Sequence, residues 1–190
     1  MLVARSFDMM PLRFKDAGVM FSRWLTDKEV AKYCTWSPLK DAKEAQDYVS
    51  RDIQRNTKND YYSWGMYFDD FSHGANRPRL FGHVTLQVNW ELRLGTLGYN
   101  LMRSEWGKGF ATEAVNAVLP FAFGVLELKY VNAACHADNR ASGRVLEKAG
   151  FTKQYEFQSP WKTGGKAPMV RYQMTSDQYF AEDEDDDTED

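Results

Sequence analysis

The sequence predicts one α/β domain built on a single mixed sheet. With 190 residues and 43% hydrophobic side chains, the chain is long enough for one well-packed domain and short for two. Strand patterns dominate its first half, and strands and helices alternate in βαβαβ order from Leu97 onward. This order is typical of one mixed α/β sheet rather than a doubly wound sheet.

Before the central region, alternating and helical hydrophobic patterns predict three strands and two helices. The first helix begins after Asp16, and Asp41 can cap the second, with Glu44 placed for a capping box. A polar loop with Gly74 and Pro78 is predicted over residues 69 to 79. The predicted elements are a strand over residues 2 to 10, a helix over 17 to 25, a helix from 41 to 53, and strands at Tyr61 to Phe68 and Leu80 to Val88.

The second half carries the alternation of strands and helices. Asp138 or Asn139 can cap its second helix, and Gly150 can end it. The predicted elements are a strand at Leu97 to Leu101, a helix from Ala111 to Gly124 that Pro120 bends, a strand at Tyr130 to His136, a short helix to Gly150, and a hairpin of residues 151 to 157 with 170 to 174 across a long loop at 158 to 169.

The charge is divided unevenly along the chain. Eight of the last ten residues are acidic, whereas the other 19 acidic side chains are outnumbered by 24 basic ones. Residues 1 to 180 therefore form a folded domain of about +5, and residues 181 to 190 a disordered acidic tail. A mildly basic domain suits an anionic ligand but is too weakly basic to indicate nucleic acid.

Cys34 and Cys135 are too few for a disulfide framework. Because the N-terminus lacks an export signal and no run of eighteen apolar residues occurs, we expect free thiols in a cytoplasmic protein that does not enter a membrane. The cysteines and the three histidines show no metal-ligand spacing, so we expect no metal.

The stretch from Leu97 to Ala114 is the most informative part of the sequence. It begins as an apolar strand, turns at Gly107 to Gly109, and opens a helix near Thr112. The free N–H groups and the macrodipole of a helix N-terminus attract anions, and glycines allow the backbone to approach a ligand closely. The stretch therefore predicts a diphosphate-binding loop, to which Lys108 adds positive charge.

Two other nucleotide-binding loops fit less well. The stretch is not a Walker A loop, because Gly109 rather than Ser or Thr follows Lys108. It matches the dinucleotide fingerprint only in part, with Thr112 where the third Gly or Ala belongs. A nicotinamide dinucleotide is therefore disfavoured.

Two motifs together resemble the acyl-CoA-binding core of the GNAT acetyltransferase superfamily. They are Trp106-Gly-Lys-Gly-Phe-Ala-Thr-Glu-Ala and Asn139-Arg-Ala-Ser-Gly-Arg-Val-Leu-Glu-Lys-Ala-Gly-Phe151. The nearest resemblance is to the ribosomal-protein-alanine acetyltransferase (RimJ/RimL-like) branch, which commonly has Trp at the position of Trp106. This resemblance implies a GNAT-like, mostly antiparallel sheet of about six to seven strands, with splayed central strands and flanking helices.

The resemblance also implies which residues bind acetyl-CoA as a co-substrate. The central strand would pair its backbone with the pantetheine amides, the glycine loop would bind the diphosphate, and Asn139, on sequence alone a helix cap, would bind the CoA arm. The implied contacts are Asn100, Leu101, Met102, Trp106, Gly107, Lys108, Gly109, Phe110, Ala111, Thr112, Asn139 and Ser142.

Catalysis would require a proton donor and a proton acceptor. By the resemblance, Ser142 would lie near the sulfur and protonate the departing thiolate. The amine must lose a proton, yet many relatives carry a Glu before the Gly-Tyr pair where this chain has Thr96. Glu156 is taken as the catalytic base, with His83, Glu105 and proton relay through solvent as open alternatives.

The sequence is thus interpreted as an acetyl-CoA-dependent N-acetyltransferase acting on a primary amine. In the family the first two helices and the aromatic loop between them overhang the acceptor site, so Tyr33 and Trp36 would touch the acceptor there, although core packing explains both residues about as well. The acceptor could be a protein N-terminus. A small amine acceptor, such as a polyamine, amino sugar or antibiotic, and a CoA-binding sensor without turnover remain open. Neither nucleic acid nor a membrane is expected as a partner, and monomer and homodimer stay equally open.

Overall fold

The computed structural model describes residues 1 to 68 and 78 to 186. Its strands form one sheet in the order β1-β2-β3-β4-β5-β6-β8-β7. The strands are β1 (Leu2–Val3), β2 (Asp8–Met10), β3 (Tyr61–Phe68), β4 (Arg79–Asn89), β5 (Leu94–Leu101), β6 (Tyr130–His136), β7 (Thr152–Pro160) and β8 (Lys166–Thr175).

Helices cover both faces of this sheet. Two of them change to π-helical hydrogen bonding in their last turn, and for α4 the change follows Pro120 directly. The helices are α1 (Asp16–Met20) continued by Phe21–Leu25, α2 (Lys28–Ala31), α3 (Ala42–Arg55), a 3-10 turn at Arg103–Glu105, α4 (Phe110–Pro120) continued by Phe121–Val125, α5 (Arg140–Lys148) and α6 (Ser176–Asp186).

Alternation along β3 shows which helix lies on which face. The hydroxyls of Tyr61 and Ser63 donate to Asp52 on α3, whereas the rings of Tyr62 and Trp64 pack against Phe121 at the end of α4. Because successive strand residues point to opposite faces, α3 and α4 lie on opposite sides of the sheet. The core is therefore two apolar layers separated by the sheet.

The sheet is mixed, as predicted, and mostly antiparallel. Among the described strands, β5 and β6 form the parallel pair, and the other neighbours are antiparallel. It has eight strands rather than the expected six or seven. The predicted strand over residues 2 to 10 is in fact the hairpin β1–β2, closed where the Ala4 N–H donates to the Phe7 carbonyl at 3.1 Å.

The parallel pair separates part of the way along its length. β5 and β6 are paired from Leu94↔Tyr130 to Leu97↔Ala133. Beyond Leu97, β5 stays with β4 as far as Gly82↔Leu101, and β6 stays with β8. The strands thus splay, as the resemblance implied, and leave a gap between two strand edges.

The predicted helix caps are confirmed. Asp41 accepts from the Glu44 N–H at 2.9 Å, and Glu44 reaches back to the Lys40 N–H at 2.8 Å. Asn139 caps α5 by accepting from the Ser142 N–H at 3.2 Å. Gly150, with φ of +84°, ends this helix in the left-handed conformation typical of glycine at a helix C-terminus.

Two parts of the chain differ from the sequence-based expectation. The hairpin loop is shorter than residues 158 to 169, because β7 and β8 pair as far as Pro160↔Lys166 and turn over 161 to 165, where Gly164 and Gly165 have positive φ. The helix α2, capped by Asp27, was not predicted at all. Most of the predicted loop at 69 to 79, including Gly74, lies outside the described residues.

The C-terminal segment differs from the sequence-based expectation in its first part. Helix α6 continues to Asp186 and so extends into the segment for which we predicted disorder. Residues 187 to 190 lie outside the described residues. The boundary between a folded domain and a disordered tail stays a prediction.

Trp24 tests the core on the α1–α3 face. Its side chain is fully buried, and its indole N–H donates to Asn100 Oδ1 at 2.8 Å. We expect Trp24→Ala to lower the free energy of unfolding by about 3–5 kcal/mol, because it leaves a large cavity. Trp90→Ala is the control: Trp90 is 42% exposed and should cost about 1 kcal/mol for its bond to the Asn59 carbonyl. Equal losses in urea denaturation would contradict this assignment of the core.

Candidate active site

A cavity of about 500 Å³ opens at the gap between β5 and β6. The end of β5, the glycine loop and the start of α4 form one wall, and α5 forms another. A third wall comes from α2 and the residues after it, on the opposite face of the sheet. The cavity therefore passes through the sheet from the α4–α5 face to the α1–α3 face.

Backbone direction decides which strand residues can pair with a ligand in the gap. The Met102 N–H donates to the Phe81 carbonyl on β4 at 2.9 Å. Along two antiparallel strands, residue pairs that share backbone hydrogen bonds alternate with pairs that do not. Two residues before Met102, the backbone N–H and C=O of Asn100 therefore point to His83 on β4. The backbone groups of Tyr99 and Leu101 point the other way, into the gap. An extended chain with amide groups can therefore pair with Tyr99 and Leu101.

Of the three strand residues that the resemblance implied, only Leu101 presents its backbone to the gap. Both backbone groups of Met102 are committed, since its carbonyl accepts from the Glu105 N–H at 3.0 Å. Asn100 lines the cavity with its side chain, which Trp24 orients. Sequence reasoning missed Tyr99, because the alternation that turns its backbone to the gap follows from the register with β4.

The glycine loop has the predicted anion-binding geometry. Gly107 and Gly109 have φ of +74° and +87°, and neither has an atom within 4 Å of the position of a Cβ, apart from its chain neighbours. Gly109 is the N-cap of α4, and no side chain caps the helix. The first N–H groups of α4, beginning at Phe110, Ala111 and Thr112, therefore face open space.

The charge beside this loop is arranged differently from the prediction. The Lys108 ammonium lies 3.0 Å from Oε2 of the buried Glu105, so it is paired and not free. Burial alone would raise the pKa of Glu105, but hydrogen bonds from Lys108 and Ser104 outweigh it and lower the pKa. Glu105 is thus an ionised group at the diphosphate end of the cavity, held there as an ion-pair partner. The Trp106 indole donates to the Leu101 carbonyl at 3.1 Å and braces the same turn.

Helix α5 supplies positive charge that sequence reasoning missed. Arg140, Arg144 and Lys148 recur every four residues and line the cavity together. Within the described part of the chain, none of the three forms an ion pair. The spacing was readable in the sequence, but only the packing of α5 against the loop turns it into a wall for an anion.

Two hydroxyl groups meet where α5 begins. The Tyr99 hydroxyl lies 2.8 Å from Ser142 Oγ and 3.2 Å from the Ser142 carbonyl. Burial raises the pKa of Tyr99, so its hydroxyl stays protonated at neutral pH. Ser142 and Tyr99 thus line the cavity together, and the role of Ser142 as a proton donor stays a prediction.

Glu156 is not brought to the cavity. It lies on the edge strand β7 with its side chain 62% exposed, 2.8 Å from the ammonium of Lys153. The hydrogen bond from Lys153 lowers the pKa of Glu156. The expectation that Glu156 is the catalytic base therefore disagrees with the structure. Of the two strands of the C-terminal hairpin, β8 pairs with β6, and β7, which carries Glu156, forms the outer edge of the sheet. The sequence alone does not show which strand of a hairpin lies at the edge.

The wall on the α1–α3 face is closed by the β7–β8 turn. Lys162 donates to the carbonyls of Ala31 and, at 3.2 Å, Trp36, and so fixes the segment that follows α2. The Tyr33 ring lines the cavity and packs on His136, with centroids 5.2 Å apart. Trp36 packs against the core instead.

The two thiols are poor nucleophiles at neutral pH. Burial raises the pKa of Cys34 to about 11, against the opposing charge of Lys162, and burial also raises the pKa of Cys135. No cluster of three metal-ligating side chains occurs among the described residues. In the same part of the chain, no helix is both long and apolar enough to cross a bilayer.

Comparison with known proteins agrees with this geometry. Residues 8 to 152 match the acetyltransferase (GNAT) domain. The uncharacterized N-acetyltransferase p20 of Bacillus licheniformis is 29% identical in an alignment 152 residues long, which covers 75% of this chain and 77% of p20.

Two solved structures share the fold. The spermidine N-acetyltransferase of Vibrio cholerae, in complex with CoA and spermine, has a TM-score of 0.75 at 18% identity and covers 92% of this chain and 98% of its own. RimL, a ribosomal α-N-protein acetyltransferase in complex with coenzyme A, has a TM-score of 0.77 at 16% identity and covers 91% of this chain and 96% of its own. At these identities the likeness shows the fold alone.

A splayed parallel pair, an uncapped helix behind a glycine loop and a domain match over residues 8 to 152 lead to the same conclusion. The chain belongs to the GNAT family and is an acetyl-CoA-dependent N-acetyltransferase.

Proposed function

We propose that this enzyme transfers the acetyl group directly from acetyl-CoA to a primary amine, and that the amine is the N-terminus of a polypeptide. The observation that carries direct transfer is the cavity through the sheet. It lets a thioester held from the α4–α5 face meet an amine that enters from the α1–α3 face. Transfer through an acyl-cysteine is disfavoured, because burial keeps the Cys34 thiol protonated.

The proposed binding mode follows the charges and the unpaired backbone groups. The diphosphate lies on the N-terminus of α4, where the glycine loop leaves room for it. Arg140, Arg144 and Lys148 neutralise the other phosphate charge. The pantetheine arm pairs with the backbone of Tyr99 and Leu101 in the gap, which places the sulfur near the Tyr99–Ser142 pair.

The amine attacks the thioester carbonyl, the C–N bond forms, and the C–S bond breaks. The thiolate that leaves takes a proton from the Tyr99–Ser142 pair, whose hydroxyls are protonated and already share a hydrogen bond. A backbone N–H on β5 that faces the gap, such as that of Leu101, can stabilise the oxyanion of the tetrahedral intermediate.

A polypeptide N-terminus is favoured over a polyamine by the charge of the acceptor wall. A polyamine carries several positive charges and needs several carboxylates. Among the described residues of α2 and the segment after it, the cavity presents one carboxylate, Glu29, together with the ammonium of Lys32. A small amine with a single positive charge remains the second candidate, because Glu29 alone could pair with that charge.

An acceptor panel tests the proposal. We expect acetyl-CoA with peptides that have a free N-terminus to release CoA thiol, and the same peptides with a blocked N-terminus to release none. If CoA thiol were released only with spermidine or an amino sugar, the acceptor would be a small amine and not a polypeptide N-terminus. If no amine gave release although calorimetry showed acetyl-CoA binding, the chain would be a CoA sensor and the proposal would fail.

Ala111 tests the diphosphate site without disturbing a glycine. Ala111→Glu places a carboxylate in the first turn of α4, where it suits the helix macrodipole but repels a phosphate. We expect it to weaken acetyl-CoA binding by about 10²-fold, since hydrogen bonds to charged groups are worth about 1.5–3 kcal/mol. Ala111→Gln has the same size without the charge and is the matched control. Similar affinities of the two variants in calorimetry would show that charge at this helix terminus does not matter.

The hydroxyl pair is tested by Ser142→Ala and Tyr99→Phe. We expect each to lower the single-turnover rate by about tenfold to a hundredfold, the low end for a general acid, because a thiolate is a good leaving group. The helix cap uses the backbone N–H of Ser142, so Ser142→Ala should leave the melting temperature and the acetyl-CoA affinity nearly unchanged. An unaltered rate in both variants would remove the pair from the mechanism.

A further inference from the structure

A buried polar network lies beside the acceptor end of the cavity and has no part in the binding mode described above. His83 on β4 is fully buried, and Asp52 on α3 is buried, with only 4% exposed. The His83 Nε2 lies 3.4 Å from Asp52 Oδ1, and Nδ1 lies 3.3 Å from the hydroxyl of Tyr48. We propose that this Tyr48–His83–Asp52 network takes up the proton that the acceptor amine must lose. The inference rests on the proposed acetyl transfer and adds the missing base to it.

The sheet register places the network next to the site. His83 pairs directly with Asn100, so both side chains point to the α1–α3 face. Asn100 lines the cavity, and so does Cys34 in the segment after α2. Tyr48 is half-buried, and Cys34 is among the groups whose charge acts on its hydroxyl. The network thus adjoins two residues that line the cavity, Asn100 beside His83 and Cys34 near Tyr48.

The charge on Asp52 sets the direction of proton movement. Burial alone would raise the pKa of Asp52, but its interaction with His83 and hydrogen bonds from Ser63 and Tyr61, each 2.6 Å long, outweigh burial and lower the pKa. Asp52 is thus an anion that only accepts hydrogen bonds. The His83 Nε2 lies on the Asp52 side of the ring, without a geometrically good hydrogen bond to any described residue, and Nδ1 lies on the Tyr48 side.

The remaining charged and titratable groups around His83 do not compete for this role. The hydroxyls of Tyr48 and Tyr61 have raised pKa values, mainly because both are buried, and so stay protonated. The Cys34 thiol is neutral below a pH of about 11. Arg51 and Arg55 act on Tyr48 from the same helix as fixed positive charges. Asp52, 3.4 Å from His83 Nε2, occupies the position that a carboxylate takes beside a catalytic histidine.

Two other carboxylates considered as the base are in the wrong place. Glu105 is paired with Lys108 at the diphosphate end, and Glu156 is exposed on the sheet edge. Thr96, on the same strand as Asn100, carries a hydroxyl, which does not accept a proton at neutral pH. Among the described residues, the network supplies the buried base on the acceptor face.

The transfer balances as follows. The ammonium of the acceptor gives a proton to the Tyr48 oxygen while the Tyr48 proton moves to His83 Nδ1. The freed lone pair forms the C–N bond, and the C–S bond breaks with its electron pair on sulfur. The nitrogen, which still carries two protons once the C–N bond has formed, gives one of them to solvent, so that a neutral amide remains. The thiolate takes a proton from the Tyr99–Ser142 pair. Solvent then reprotonates this pair and removes the proton from His83.

The test compares two acceptors that differ only in basicity. One is the amine that reacts fastest in the acceptor panel, and the other is its aminooxy analogue, whose nitrogen is unprotonated at neutral pH. We expect His83→Gln and Tyr48→Phe to slow acetylation of the amine by about 10²- to 10⁴-fold. Acetylation of the aminooxy analogue should change only a few-fold, because it needs no base before attack. Raising the pH should restore the rate with the amine, since more of it is then neutral.

Tyr62→Phe is the matched control for Tyr48→Phe, because its hydroxyl bonds the Asn59 carbonyl away from the cavity. It should leave both rates unchanged. An equal loss with both acceptors, or no loss with either, would overturn the proposal. Tyr48→Phe keeps the test valid if His83→Gln fails to fold, and calorimetry with acetyl-CoA verifies that each variant still binds its co-substrate. Wild-type acetylation of the amine tests the proposed function separately, so the two proposals can fail independently.

Discussion

The function of this fold depends on the point where β5 and β6 stop pairing. Parallel strands normally satisfy each other's backbone groups, and an edge left open inside a sheet costs stability unless something pairs with it. Here the two strands separate beyond Leu97 because each follows its antiparallel partner, β5 with β4 and β6 with β8. The gap leaves backbone groups at Tyr99 and Leu101 for a ligand and opens a passage between the two faces of the sheet.

The two faces differ in electrostatics, and this difference matches the two substrates. On the α4–α5 face the cavity has an uncapped helix N-terminus and the basic side chains of α5, which suit a polyanion. On the α1–α3 face the buried charge is the Asp52 carboxylate beside His83. In the proposed binding mode, an anionic ligand and an amine that must lose a proton would lie on opposite sides of one sheet.

The buried polar groups also bear on stability. Asp52 accepts hydrogen bonds from Tyr61 and Ser63 and therefore joins α3 to β3, and Asp16 joins the start of α1 to Tyr67 in the same way. An unpaired buried carboxylate would be costly, so each is surrounded by donors. The same donors that make Asp52 tolerable in the core keep it ionised beside His83. Under the proposed role of the network, structural and catalytic demands on Asp52 would therefore coincide.

By itself the sequence determined the local features. Periodicity, caps and glycines predicted most strands and helices and the glycine loop, because the physics of capping and of positive φ acts over a few residues. Only the tertiary structure decided which groups meet. The register of β4 with β5 turned Tyr99 to the gap and placed His83 beside Asn100, and the hairpin β7–β8 carried Glu156 to the outer edge. These outcomes depend on pairing between residues distant in sequence, where a shift of one residue reverses the face of every side chain.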